Sequence, residues 1–244
     1  SMPGMLDTFL NVGMNPEIAA GFAAKTDRPW AAWDAYRRFL QFWGMSFGIN
    51  RDLFDGLMGE AKQKYSVLKK SLLPPEMMKE LALRYRTLLH DHGLESVDDP
   101  FEQLMRCIDL VMQSWQSNKA RVYRSELKIA DEWGTAVLVQ NMVYGNLHAK
   151  SGTGALFTHH PREGPEDVQL YGDFIIQGQG DDVVSGLVDT FPVSENQRLS
   201  ESEETKISLE KDFPKIYQSM RRYAENLVHE QEMHHQEIEF TFES

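Results

Sequence analysis

Two hydrophobic periods divide this chain. From residue 16 to about residue 129, apolar side chains return every three or four positions, the spacing of helices that bury one face. Beyond Trp133 the period falls to two, in β-branched runs broken by glycine, as in strands joined by tight turns. In the first part, Pro16 suits a first helical position. Trp30, Trp33, Tyr36, Phe39, Leu40, Trp43 and Phe47 recur at helical spacing across residues 29–48 and predict a buried aromatic stripe. Arg37 and Arg38 lie off it and are expected at the surface or at an interface. Residues 53–68 and 76–91 read as further amphipathic helices, with Pro74 and Pro75 as the break between them. Residues 94–100 read as a loop. Asp99-Pro100 then opens a strongly periodic helix with Phe101, Leu104, Met105, Ile108, Val111, Met112 and Trp115 on one face and Cys107 off it.

The second part carries GTAVLVQNMVYGN, SGTGALFTHHP and LYGDFIIQGQGDDVVSG between residues 134 and 186. Residues 135–139, 154–158 and 170–177 are the expected strands, with a polar turn over 163–168. Asp173, Asp181 and Asp182 sit beside glycines, where backbone can approach a ligand closely. Phe213, Ile216, Tyr217, Met220, Tyr223, Leu227 and His234 mark a last helix. After it, Glu237, Ile238, Glu239 and Phe240 alternate carboxylate with apolar side chain. As a strand this segment puts Glu237 and Glu239 on one face, and two carboxylates beside a glycine-rich sheet point to a divalent metal site. The predicted fold class is α+β.

Composition narrows the picture. A formal charge of −12 over 244 residues argues against a nucleic-acid surface, while leaving room for a local basic pocket that holds ATP. Cys107 is the only cysteine, so no internal disulfide can form and a reducing, cytoplasmic setting is expected. No apolar run approaches the ~20 residues of a membrane span. His229, His234 and His235 stand among Glu230, Glu232 and Glu237, but their spacing misses the two-histidine helical zinc motif, so a solvated helix end is expected. His159-His160 reads as a loop pair. The opening SMPGMLDT shows turn chemistry with no leader in front of it, so either Ser1-Met2 is an expression scar or the chain is expected to start inside a longer protein, and it stops just past its last strand.

The stretches SMPGMLDTFLNVGMN, WAAWDAYRRFLQFWG, SWQSNKARVYR, EWGTAVLVQNMVYGN, SGTGALFTHHP, LYGDFIIQGQGDDVVSG and EIEFTFE resemble, in order and spacing, the nucleotide-binding region of the pyruvate phosphate dikinase family. The resemblance covers essentially the whole chain and is weaker in the helical middle. It implies an ATP-grasp fold fragment with an inserted helical subdomain. On that basis residues 1–15 would be a remnant of the first lobe and 16–92 the helical subdomain. Residues 93–133 would be a helical return to the first lobe, and 134–244 a truncated second lobe. It also implies ATP and phosphate as substrates, Mg2+ as cofactor, and partner domains in the parent chain carrying a phosphohistidine and the pyruvate or phosphoenolpyruvate site. The parent would be a homodimer.

Roles carry over only where motifs match. Gln140, Asn141, Met142 and Val143 match the hinge whose backbone meets adenine, with the Asn141 carbonyl accepting from the amino group and the Val143 amide donating to the ring. Glu237 and Glu239 match the acidic pair that holds magnesium against the phosphates, although the first is usually aspartate in the family. The departures are His159-His160 in place of arginine and asparagine, and Gln177 and Asp189 in place of asparagine and arginine. The family's phosphate-holding lysine and arginine would precede Ser1, and a further glutamine and arginine would follow Ser244. The isolated segment is therefore expected to be inactive. The alternatives are a phosphoenolpyruvate synthase, another relative of the same superfamily such as an antibiotic phosphotransferase, or a non-catalytic interaction module of the same fold.

Overall fold

The computed structural model describes residues 4–95, 97–162, 167–184, 189–202 and 204–243. The chain divides into two compact units, Ser1–Met142 and Val143–Ser244. The first is helical: α1 (Pro16–Thr26), α2 (Pro29–Ser46), α3 (Arg51–Lys64), α4 (Pro75–Asp91), α5 (Pro100–Ser114) and α6 (Asn118–Leu127). Sequence chemistry sets the ends. Asn15 caps α1 by accepting from the Ile18 amide at 2.7 Å, Asp99 caps α5 through Glu102, and Ser117 caps α6 through Ala120. Proline opens α1, α2, α4 and α5, where a missing amide costs nothing.

The aromatic stripe of α2 is core, as its period predicts, and packs against α1 and α4. Trp33, Tyr36, Phe39, Leu40 and Trp43 are buried with Phe54, Met77, Met78, Leu81, Tyr85 and Leu89, while Phe47, at the helix end, is exposed. Arg37 and Arg38 correct the expectation of solvated side chains. Both are buried, because Asp34, one turn earlier on the same helix, supplies their counter-charge at 2.8 Å each. Burial alone would raise the Asp34 carboxyl, but the charges of Arg38 and Arg37 outweigh it and hold the group well below the usual carboxylate range.

The apolar face of α5 is corrected in part, since Trp115 is buried and Leu104, Ile108 and Val111 are half-buried as the period predicts. Phe101 is 70% exposed and Met105 and Met112 are each 45% exposed, whereas Gln103, Cys107 and Ser114 are buried. The reason is polar. Gln103 accepts from the Gly13 amide at 2.8 Å and donates to the Met14 and Val97 carbonyls, and Ser114 Oγ accepts from the Asp7 amide. These bonds turn the polar side of α5 toward the N-terminal segment.

The second unit is built on a four-stranded sheet, buried on both faces around Thr153 and Ile175. β1 (Ser151–Phe157) pairs antiparallel with β2 (Tyr171–Ile176) and with β4 (Glu237–Glu243), and β3 (Phe191–Pro192) extends the β2 edge, giving the order β3-β2-β1-β4. Between β2 and β3 lies α7 (Gly180–Val184). After β3 come α8 (Glu195–Glu201), α9 (Leu209–Asp212) and α10 (Pro214–Glu225). Leu156, Phe174, Phe240 and Phe242 face the core with Val193, Leu209 and Ala224, and Phe213, Ile216, Tyr217 and Met220 pack onto that cluster.

The glycines of β1 make this packing possible. A Cβ on Gly154 would lie 2.5 Å from the Asp173 carbonyl oxygen and 2.8 Å from the Phe240 ring, and one on Gly152 would lie 2.7 Å from Phe242. The sequence alternates glycine with larger residues so that the Phe240 and Phe242 rings can lie across the strand. Gly172 likewise crowds its sheet neighbour Ala155, which leaves no space beside Asp173, whereas nothing lies within 4 Å of a Cβ on Gly180, next to Asp181. The expected strand over 135–139 is not one. The segment has no regular structure and no ladder partner among the described residues, and Leu138 and Val139 are 84% and 62% exposed. β-branched composition favours a strand, but a strand exists only where a neighbour takes its hydrogen bonds. Part of the expected turn, residues 163–166, lies outside the described residues.

Candidate nucleotide and metal site

β4 alternates as its sequence requires. Glu237, Glu239, Thr241 and Glu243 are exposed, while Ile238 is half-buried and Phe240 and Phe242 are buried. In register, Glu239 lies opposite Ala155, which lies opposite Asp173 on β2. Residues directly opposite share a face, so Asp173 and Glu239 flank a small alanine on the face opposite the one covered by α9 and α10. Two strand spacings, about 9.5 Å, separate them. Glu237 sits one row further, opposite Phe157 and then Tyr171. Desolvation raises the Asp173 carboxyl above its ordinary value although the residue reaches solvent. The Glu201 charge adds to this and a hydrogen bond with Thr190 opposes it.

Of the glycine-flanked aspartates, Asp173 alone joins this face by register. Asp182 accepts from the Gln179 amide at 3.1 Å at the start of α7, a local capping role, and the Asp181 side chain lies outside what is described. Among the described residues no set of three or more His, Cys, Asp or Glu side chains is placed to hold a metal by itself. Glu237 and Glu239 offer solvent-facing carboxylate oxygens, donors of the kind a hard divalent cation takes.

Gln140, Asn141 and Val143 are exposed and Met142 is half-buried, with no regular structure, so their peptide groups are not consumed by a ladder. They span the boundary between the two units. At the far end of the sheet His159 stacks on His235 with ring centroids 4.6 Å apart, and His235 Nδ1 is hydrogen-bonded to Thr158 Oγ at 3.0 Å. His160 meets Tyr171 edge-on at 4.4 Å, and His229 pairs with Asp167 at 3.4 Å. Gln177 is exposed in a left-handed conformation, φ 57°, as β2 ends. Sequence reasoning passed over Glu243, which accepts from the Tyr144 amide at 2.7 Å. The signal was available, since Glu243 continues the same every-second-residue row as Glu237 and Glu239.

The chain belongs to the family described as "Pyruvate phosphate dikinase, AMP/ATP-binding domain", whose profile matches residues 1–242. Among its relatives, it is 35% identical over 245 residues to the pyruvate, phosphate dikinase of Rickettsia typhi, covering 100% of this chain and 27% of that protein. It is 36% identical over 247 residues to that of Clostridium symbiosum, covering 100% of this chain and 26% of that protein. It is 41% identical over 189 residues to the chloroplastic pyruvate, phosphate dikinase of Flaveria trinervia, covering 77% of this chain and 20% of that protein. The chain thus spans about a quarter of the length of the curated relatives it matches. Among the described residues no helix is long and apolar enough to cross a membrane.

Proposed function

We propose that this chain is the ATP-binding, ATP-grasp part of a pyruvate phosphate dikinase. In the parent enzyme, ATP and phosphate would phosphorylate a histidine on another domain, and that phosphoryl group would convert pyruvate to phosphoenolpyruvate, with AMP and diphosphate as the other products. The observation that carries this reading is the bare face of β4, where Glu237 and Glu239 point away from the helical layer. β4 is an edge strand of the sheet, and the oxygens of both carboxylates stand in solvent, where a cation and its other oxygen ligands can reach them. Residues 1–15 and 93–133 would belong to one lobe, 134–244 to the other, and 16–92 to the inserted helical subdomain. The parent would be a cytoplasmic homodimer.

In this reading the exposed backbone at Asn141 and Val143 reads adenine, with Gln140 and Met142 flanking. Main-chain readout distinguishes the base by one acceptor and one donor and leaves the side chains free to vary. Glu237 and Glu239 hold Mg2+ against the phosphates, and Asp173 adds a third negative group on the same face. The ion, when bound, neutralises charge that builds on the transferring phosphoryl group. The protein's own contribution is positioning, which supplies most of the catalysis in this chemistry.

The test is Glu239→Gln in the full-length parent, which keeps size and removes charge. Single-turnover transfer from ATP to the protein at saturating magnesium should fall by about 100-fold or more, the scale of losing one charge-stabilising group, while metal-free ATP affinity changes little. A loss under about threefold, less than ~1 kcal/mol, would reject the metal role.

A further inference from the structure

Four side chains of β4 point out of the core, and the last of them, Glu243, has a partner of its own kind. Its Oε1 accepts a hydrogen bond from the Tyr144 amide at 2.7 Å, the length of a charge-assisted bond. The next two residues are also held. A Cβ on Gly145 would collide with the carbonyl oxygens of Gly178 and Gly152. Asn146 is buried, and its Oδ1 accepts from Gln179 Nε2 at 3.1 Å. The chain leaving residues 140–143 is therefore seated at three successive positions: on β4, on β1 and on the loop after β2. Burial, and after it the Glu243 charge, raise the Tyr144 phenol above its ordinary value.

Geometry connects this bond to the hinge. The Val143 carbonyl and the Tyr144 amide share one rigid peptide plane, so fixing the amide fixes the plane. The Val143 amide is then only the two soft dihedrals of one residue away. Glu239 and Glu243 stand four residues apart on the same face, about 13 Å along the strand. One strand thus carries the carboxylates for the phosphate end of a nucleotide and a brace for its base end.

We propose that Glu243 is a positioning residue that orients the adenine-reading backbone at Val143 relative to the Glu237 and Glu239 carboxylates. The inference rests on the nucleotide-binding reading above. It predicts a selective loss: without the brace, recognition of the base weakens while the phosphate end is untouched.

The experiment compares wild type, Glu243→Ala, Glu243→Asp and Glu243→Gln in the full-length parent, by calorimetric titration with magnesium ATP and with magnesium tripolyphosphate. Hydrogen exchange at the Tyr144 amide is followed alongside. Glu243→Ala should bind ATP about tenfold more weakly, the worth of a hydrogen bond to a charged acceptor. It should bind tripolyphosphate within twofold of wild type and exchange the Tyr144 amide at least tenfold faster. Glu243→Gln keeps an acceptor of the same reach and should recover ATP affinity to within threefold. Glu243→Asp keeps the charge but is one methylene short, so it should lose ATP selectively, and it decides the matter should the alanine variant fail to fold. ATP affinity unchanged in Glu243→Ala and Glu243→Asp, or ATP and tripolyphosphate lost equally, overturns the positioning role. A wild-type protein that binds neither probe overturns the nucleotide reading itself, and this inference with it.

Discussion

Gly154→Ala tests how the fold sets the site. The added Cβ would lie 2.5 Å from the Asp173 carbonyl oxygen, 2.7 Å from Phe174 Cβ and 2.8 Å from the Phe240 ring. Two of these neighbours belong to the backbone or first side-chain carbon of β2, which cannot swing away as the end of a flexible chain can. Ordinary contact begins at 3.4 Å, so β2 has to move by about 0.9 Å at Asp173, or Phe240 has to leave its place in the core. Overpacking of this kind costs about 1–3 kcal/mol. Native-state exchange of the β1 ladder amides should therefore speed by about 5- to 150-fold, at tenfold per 1.4 kcal/mol. The same displacement separates Asp173 from Glu239 across Ala155, and a misplacement near 1 Å can cost about 100-fold in rate. Single-turnover phosphorylation in the full-length parent should fall on that scale, with ATP affinity changing less. Gly180→Ala is the control, because nothing lies within 4 Å of its Cβ, and both readouts should stay near wild type. A Gly154→Ala protein with wild-type exchange and wild-type transfer would refute the claim that β1 glycines hold the carboxylate face in register.

Three further outcomes follow from buried groups in the helical unit. Asp34→Ala leaves the Arg37 and Arg38 charges buried without their carboxylate and should cost about 3–5 kcal/mol in urea unfolding followed by tryptophan fluorescence, and a cost below about 1 kcal/mol would contradict the buried pairing. Because the folded Asp34 carboxyl is depressed, its stabilisation is complete above its unfolded value of about 3.9 and is lost as pH falls below it toward the folded value. Melting curves from pH 7 down to pH 3 should show that loss in the wild type and a flatter dependence in Asp34→Asn. Burial pushes the Cys107 thiol up to about 12, so iodoacetamide at pH 8 should label it only after unfolding, and prompt labelling of the native protein would place it at the surface.

The elements that were legible in sequence are those whose period reports a neighbour inside these 244 residues. The α2 stripe and the β4 alternation both read correctly, because α4 and the α10 layer supply their cover. Residues 135–139 and the Phe101–Met105–Met112 face misled for one shared reason. A periodic pattern states which side of an element is apolar, and it is silent on what lies against it. Arg37 and Arg38 misled differently. Charge predicts exposure only while its counter-ion is also in water, and Asp34, three and four residues away, was visible in the sequence as a partner that could take both arginines inside.

The site divides along the same line. That Glu237 and Glu239 share a face follows from strand geometry alone, so the alternation was enough to find them. That Asp173 shares it depends on register between β2, β1 and β4, segments joined by long connections, and a slip of one residue would have turned Asp173 into the core. A one-residue slip is disfavoured on both sides of β1, because Gly154 lies opposite Phe174 on β2 and Phe240 on β4, and Gly152 opposite Phe242, where a Cβ would collide with each. The acceptor role of Glu243 is further from reach, because its partner is a backbone amide 99 residues away and a main-chain donor leaves no mark in the amino-acid sequence. What the row of β4 does state is that a carboxylate stands at residue 243 on the same face as residues 237 and 239. Glu243 stands about 13 Å from Glu239 along the strand, beyond a Debye length of about 8 Å, so each acid of the row is answered by its own neighbours rather than by the other acids. The Tyr144 amide answers Glu243, and the two that remain, Glu237 and Glu239, are the ones with which a cation would complete the face.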